Sequence, residues 1–233
     1  MLPASSCYKR QINNRIIKLK KQLNKIELNR NMQRKLRKNN SVPIISLVGY
    51  TNVGKSSLFN LLTKENIYVK NQLFATLDTT MRKVNLFNNL YFILSDTVGF
   101  ISNLPTQLII SFQTTLEEIN FSDYMIHVID ISNSNWENQK QIVTNTLKDI
   151  LKENYNENKI IEVWNKSDLL NEEKNIYYKN IIKRKRDAVL ISSKQFIGKN
   201  KLFEIIRKKI VNNKENLLNF TSPSNRKKIK ALL

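Results

Sequence analysis

Apolar positions along the chain follow two regimes that meet near Pro43. Before it, residues 8–38 contain no Gly or Pro, and Ile12, Ile16, Leu19, Leu23 and Ile26 recur at alternating spacings of four and three. That spacing lines five side chains along one stripe, so it predicts a long helix with a coiled-coil-like seam. Past Ile26 the seam breaks up, and the basic cluster Arg34, Lys35, Arg37 and Lys38 follows. After Pro43, short apolar runs alternate with helix-period stretches. Ile44–Val48, Tyr124–Asp130, Lys159–Trp164 and Val189–Ser192 read as strands, and Lys55–Leu62, Trp136–Glu153 and Leu202–Val211 as helices. Lys83–Phe87 and Tyr91–Leu94 flank Asn88-Asn89, a turn pair that predicts a hairpin. The order predicts an α/β domain with a mostly parallel sheet and one antiparallel strand. The expected organisation is a basic helix over 1–40, the α/β domain over 41–213 and a basic tail over 214–233.

Charge sharpens that division. The net charge is +20, yet residues 1–40 hold twelve Lys/Arg against Glu27 alone, and 214–233 hold five against one. Residues 41–213 carry 22 basic and 17 acidic side chains. The excess therefore sits at the ends, where it implies attraction to nucleic acid or another polyanion. Compositional drift toward Lys and Asn is the competing explanation, but drift would spread lysine more evenly. A 41% hydrophobic content excludes wholesale disorder, and no apolar run approaches the roughly 18–20 residues of a membrane span. Cys7 alone cannot form an internal disulfide or a zinc site, which points to a reducing compartment. His127 alone argues against a histidine triad or metal centre; mid-strand, it is expected to be structural, as are Trp136 and Trp164.

The four glycines are Gly49, Gly54, Gly99 and Gly198. Two bound Gly49-Tyr50-Thr51-Asn52-Val53-Gly54-Lys55-Ser56, the GxxxxGK[ST] pattern, placed after an apolar strand and before a helix. Backbone N–H groups of such a loop and the following helix N-terminus wrap nucleotide phosphates. Lys55 would neutralise the β- and γ-phosphates, and Ser56 would bind Mg²⁺. The third glycine ends Asp96-Thr97-Val98-Gly99. An Asp at a strand's C-terminal end faces the crevice where ligands bind, so Asp96 can hold the Mg²⁺ shell from outside the ion's direct ligands, and the Gly99 N–H can sense a γ-phosphate. In Asn165-Lys166-Ser167-Asp168, the Asp168 carboxylate can accept two hydrogen bonds from guanine, whose donor pair adenine lacks. Lys166 would lie over the base and Asn165 would tie loops together. A helix N-cap by Ser167 or Asp168 is the bland reading of that string, and it loses weight beside the other two motifs. Backbone N–H groups of Ser192-Ser193-Lys194 could receive the guanine carbonyl.

This set and order resembles the translation-factor-related GTPases. Phe74-Ala75-Thr76-Leu77-Asp78-Thr79-Thr80 looks like the switch I string of the HflX GTPases, which usually has Pro where Thr79 stands. Asp96–Phe100, Leu104-Pro105, Phe112 and Thr115–Glu118 look like that family's switch II and the helix after it, and helix 8–38 resembles the second helix of its coiled-coil subdomain. Against the family pattern, the chain is expected to start at that second helix and to stop before a small C-terminal domain. The resemblance implies a P-loop GTPase fold and a nucleotide site that includes Phe74 to Asp78. It implies that Thr76 binds Mg²⁺ beside GTP, and that Lys55, Thr76 and Gly99 act in hydrolysis. It implies a cytoplasmic protein bound to the ribosomal large subunit and its RNA, with no membrane partner. Ribosome splitting would need the family's N-terminal subdomain. A GTP-dependent RNA-binding or ribosome-assembly switch with little hydrolysis is the alternative. Asn52 stands where potassium-dependent relatives hold K⁺; a preference of Asn for tight turns is the competing reason for it. Phe100 follows DxxG where many regulatory GTPases carry a water-orienting glutamine, so slow intrinsic turnover is expected.

Overall fold

The computed structural model describes residues 10–22, 42–64, 80–86, 90–97, 99–100 and 119–220, with side chains to residue 212. It divides into two units, 1–42 and 43–233. In the first, residues 10–22 are helical and Ile12, Ile16, Ile17 and Leu19 are exposed. The remaining seam residues Leu23 and Ile26, and the cluster Arg34 to Lys38, lie outside the described residues.

In the second unit six strands form one sheet. They are β1 (Ile44–Gly49), β2 (Thr80–Asn85), β3 (Tyr91–Asp96), β4 (Tyr124–Asp130), β5 (Ile160–Asn165) and β6 (Ala188–Leu190). Their order is β2-β3-β1-β4-β5-β6; β2 runs antiparallel to β3 and the other neighbours are parallel. Strand alternation sorts the core into two layers. Ile45 and Leu47 of β1, Ile126 and Val128 of β4, and Ile161 and Val163 of β5 face α1 (Lys55–Thr63) and α4 (Lys199–Phe220) through Leu58, Phe59, Leu202 and Ile206. The intervening residues Val48 and Met125 meet Val143 and Leu147 of α2 (Trp136–Leu151), while Ile129 and Trp164 meet Ile182 of α3 (Glu172–Lys183). With helices on both faces, the chain reverses direction across the sheet at β1, beside β4. In open α/β sheets ligands bind outside the carboxyl ends of the strands at such a switch point, which places the crevice there.

Several elements depart from the sequence reading. The pattern did not predict α3, because its apolar residues are dispersed: Ile176 and Tyr177 are exposed and Ile182 alone is fully buried. Its start was nevertheless written locally. The Asn171 side chain accepts from the Lys174 N–H at 3.0 Å, and Glu172 and Glu173 occupy the first turn. The closing helix begins at Lys199 and runs to Phe220, past the boundary expected at 213. Strands β3 and β5 run past their expected ends, since Asp96 and Asn165 still pair in register with Leu47 and Asp130, whereas β6 spans Ala188–Leu190 and stops short of the expected Ser192. The predicted first hairpin strand shifts to Thr80–Asn85.

Candidate nucleotide-binding site

The phosphate side is built where β1 turns into α1. Gly54 caps the helix at φ 94, a left-handed conformation that a side chain would strain. A Cβ there would also stand 2.4 Å from the Asn165 amide nitrogen. No side chain caps α1 and no acid lies in its first turn. First-turn N–H groups have no intrahelical acceptor, so this end is suited to an anion. Thr51 N donates to Phe100 O at 2.9 Å and Phe100 N to Gly49 O at 3.1 Å, which pins the loop to the DxxG segment. Lys55, 7% exposed, donates to Gly49 O at 3.2 Å and Tyr50 O at 2.9 Å. Burial lowers its pKa to about 8, partly opposed by the Asp96 charge.

Asp96 closes β3 opposite the helix start, and Ser56 Oγ donates to its Oδ2 at 2.9 Å. A hydroxyl beside a carboxylate is a hard oxygen pair of the kind Mg²⁺ takes together with phosphates and water, so these residues fit that ion. Gly99 lies close by: a Cβ on it would stand 2.8 Å from Lys55 Nζ. Thr97 points elsewhere, its hydroxyl donating to Leu47 O. Asn52 is exposed with φ 61.

The base side is a network of side chains. Asn165, 2% exposed, donates through Nδ2 to Val53 O at 2.9 Å. Its Oδ1 accepts from Ser193 N at 3.1 Å and Ser193 Oγ at 3.0 Å. Ser192 Oγ donates to Asp168 Oδ1 at 2.6 Å. Ser167 is buried, and its N–H donates to Ile191 O at 3.1 Å. The three backbone donors expected for a guanine carbonyl are thus narrowed. Ser192 N donates to Ile197 O at 3.2 Å and Ser193 N to Asn165, because the loop closes on itself. A carbonyl would share the Ser193 N–H or take that of Lys194. Lys166 has φ 63, and its Nζ lies 2.7 Å from Asp130 Oδ2.

Among the predicted site residues, Phe74, Ala75, Thr76, Leu77, Asp78 and Val98 lie outside the described residues, as do Leu104 to Glu118. Two further residues shape the site: Asp130, which pairs with Lys166, and Phe100, which pins the phosphate loop. Asp130 carried the same signal as Asp96, an acid at the carboxyl end of a parallel strand. His127 is buried and its pKa falls to about 4, through burial first and nearby Lys140 and Lys55 charges, against the pull of Glu162. It is therefore uncharged at neutral pH, within β4.

Residues 44–166 match the family described as 50S ribosome-binding GTPase. A GTPase HflX from Caldanaerobacter subterraneus is 39% identical over 202 residues, covering 87% of this chain and 45% of its own. GTPase HflX from Escherichia coli is 38% identical over 162 residues, covering 70% and 37%. The chain thus spans less than half the length of these two relatives. Among solved structures, a complex of the protein SsGBP with GDP superposes at TM-score 0.58 and 30% identity, over 91% of this chain and 62% of that one. The family match runs from β1 into the loop after β5 and takes in more than half the residues, so the chain belongs to the 50S ribosome-binding GTPases and is of the HflX type.

Proposed function

We propose that the chain binds GTP with Mg²⁺ and hydrolyses it slowly while associated with the large ribosomal subunit and its RNA, in the cytoplasm. One observation carries the nucleotide reading. Asn165 bonds the P-loop through Val53 O and the base loop through Ser193, so phosphate and base sites form one unit. Asp168 would accept from guanine, Lys55 would exchange its backbone carbonyls for β- and γ-phosphate oxygens, and Ser56 with Asp96 would hold the metal side. A bound Mg²⁺ supplies charge neutralisation on those phosphate oxygens. Thr76 and Gly99 are the residues proposed to meet the γ-phosphate, by their likeness to the family's switch strings.

Slow turnover follows from Phe100. It is 2% exposed and packs with Val48, Ile119 and Met125, so it cannot orient a water. Asn52 is the candidate to hold K⁺ against the charge that develops between β- and γ-phosphates, as an arginine finger does. Its left-handed φ of 61 equally suits the turn itself. The basic ends supply the attraction to RNA. Phosphate release from GTP and ATP, measured in K⁺ and in Na⁺ with and without 50S subunits, tests the whole reading. GTP turnover that exceeds ATP turnover and rises with subunits supports it. Equal use of the two nucleotides contradicts the base site, and equal rates in both salts remove the potassium role. Binding to subunits without turnover favours the RNA-binding switch.

A further inference from the structure

We propose that Asp130 is a positioning residue for guanine-nucleotide binding, acting by holding Lys166 in place through their ion pair. The inference rests on the reading that Lys166 and Asp168 form the base site. Asp130 is the last residue of β4 and lies beside Asn165 in strand register. It is 8% exposed, so its charge is retained at the cost of desolvation unless partners meet it. Partners meet both oxygens. Oδ1 accepts from Ser132 N at 3.1 Å and Ser132 Oγ at 2.6 Å, which sets the carboxylate's rotation and turns Oδ2 toward Lys166 Nζ at 2.7 Å.

Lys166 needs such a hold more than its neighbours do. Asn165 is fixed by Val53 and Ser193, and Asp168 by Ser192, whereas Lys166 is a long side chain with much rotamer freedom to lose. Its backbone is already committed to φ 63 at the head of the 3₁₀ turn Ser167–Leu169. Anchoring Nζ at the end of β4 extends the four-carbon stem along one side of the base loop, where it can cover a face of the purine. The neighbouring carboxylate also offsets the lysine's charge, so the stem meets the base as an apolar surface. The ion pair lies on the base side, so it should serve GDP and GTP alike.

A double-mutant cycle on the full chain tests this, with dissociation constants and release rates of fluorescent N-methylanthraniloyl GDP and GTP. Asp130→Asn should weaken both nucleotides by the same factor, about tenfold, the scale of coupling between directly bonded residues. Lys166→Met should weaken them comparably, and adding Asp130→Asn to it should change nothing further. Ser132→Ala should act in the same direction with a smaller factor that also vanishes in Lys166→Met, and it carries the test if Asp130→Asn fails to fold. Losses that multiply in the double variant, or affinities that Asp130→Asn leaves unaltered, would overturn the positioning role. Asp168→Asn serves as the control. If it shifts preference from guanine to xanthine nucleotides, a negative cycle sinks the Asp130 inference alone; if it does not, the base-site reading falls and takes this inference with it.

Discussion

The two halves of the candidate site are held together in opposite ways. On the base side, side chains bond to one another: Asn165 to the Ser193 hydroxyl, Asp168 to Ser192 and Lys166 to Asp130. On the phosphate side, the principal charge bonds to backbone. Lys55 is buried on the carbonyls of Gly49 and Tyr50, with its pKa brought down to about 8. A network already satisfied needs little rearrangement to receive a base, so it suits discrimination. A buried cation on neutral acceptors gains most when an anion arrives, so it suits affinity. The Val53–Asn165 bond joins the two.

The largest expected effect separates these roles. Lys55→Met should weaken GDP by at least about 2–5 kcal/mol, the cost of truncating one partner of a buried charge pair, as read by equilibrium binding. The thermal midpoint of the nucleotide-free protein should not fall, because a buried charge is replaced by an apolar side chain of similar length. The residual binding should keep its preference for guanine. A lost preference would mean that the halves are not separable. Asn165→Ala should do what Lys55→Met does not. It strips partners from Val53 O and Ser193 N and should lower unfolding stability by about 2 kcal/mol, with weaker GDP binding, in paired denaturant and binding titrations.

A smaller effect follows pH. Phosphate near Lys55 should raise its pKa from about 8, so binding takes up a proton above that pH. GDP affinity should be flat below about pH 7, bend near 8 and fall by up to about tenfold per unit beyond it, with a flat profile in Lys55→Met. A fall that survives in that variant would assign it to another group. The smallest effect on nucleotide is expected at Glu162, on β5 outside both halves. Burial tends to raise its carboxyl, but hydrogen bonds from Lys140, Lys185 and Trp164 outweigh it and bring the pKa to about 2. Its folded value lies below its unfolded one. Its contribution, of order 2 kcal/mol, is therefore present above about pH 4.5 and lost as pH falls toward 2. Glu162→Gln should flatten acid unfolding in that window and leave GDP affinity unchanged.

The phosphate side was the more legible half in the sequence. GxxxxGK[ST] needs its residues at fixed local spacing, because one turn and one helix end make the site, and the flanking apolar runs located both. The base side was legible only where it is local. Asn165 to Asp168 announced itself, while Asp130 belongs to another strand, 36 positions before Lys166, and only sheet register brings the two together. The Ser192 loop was placed by position, yet two of its three expected donors are used, Ser192 N by a bond within the loop to Ile197 O and Ser193 N by a tertiary bond to Asn165. Helix α3 escaped for a related reason: its single fully buried residue leaves almost no periodic stripe, and its Asn171 cap was the better signal.

The central claim is that Asp168 selects guanine within a site whose phosphate half is indifferent to the base. Competition of GTP, ATP and xanthosine triphosphate against fluorescent GDP, on the wild type and Asp168→Asn, tests it most directly. The account predicts that the wild type prefers GTP over both, by a factor on the order of 10⁴ for a site built around a buried hydrogen-bond pair. In Asp168→Asn the order should invert toward xanthosine triphosphate, with magnesium dependence retained. A wild type that binds ATP as well as GTP, or a variant that loses all three nucleotides in equal proportion, would contradict it.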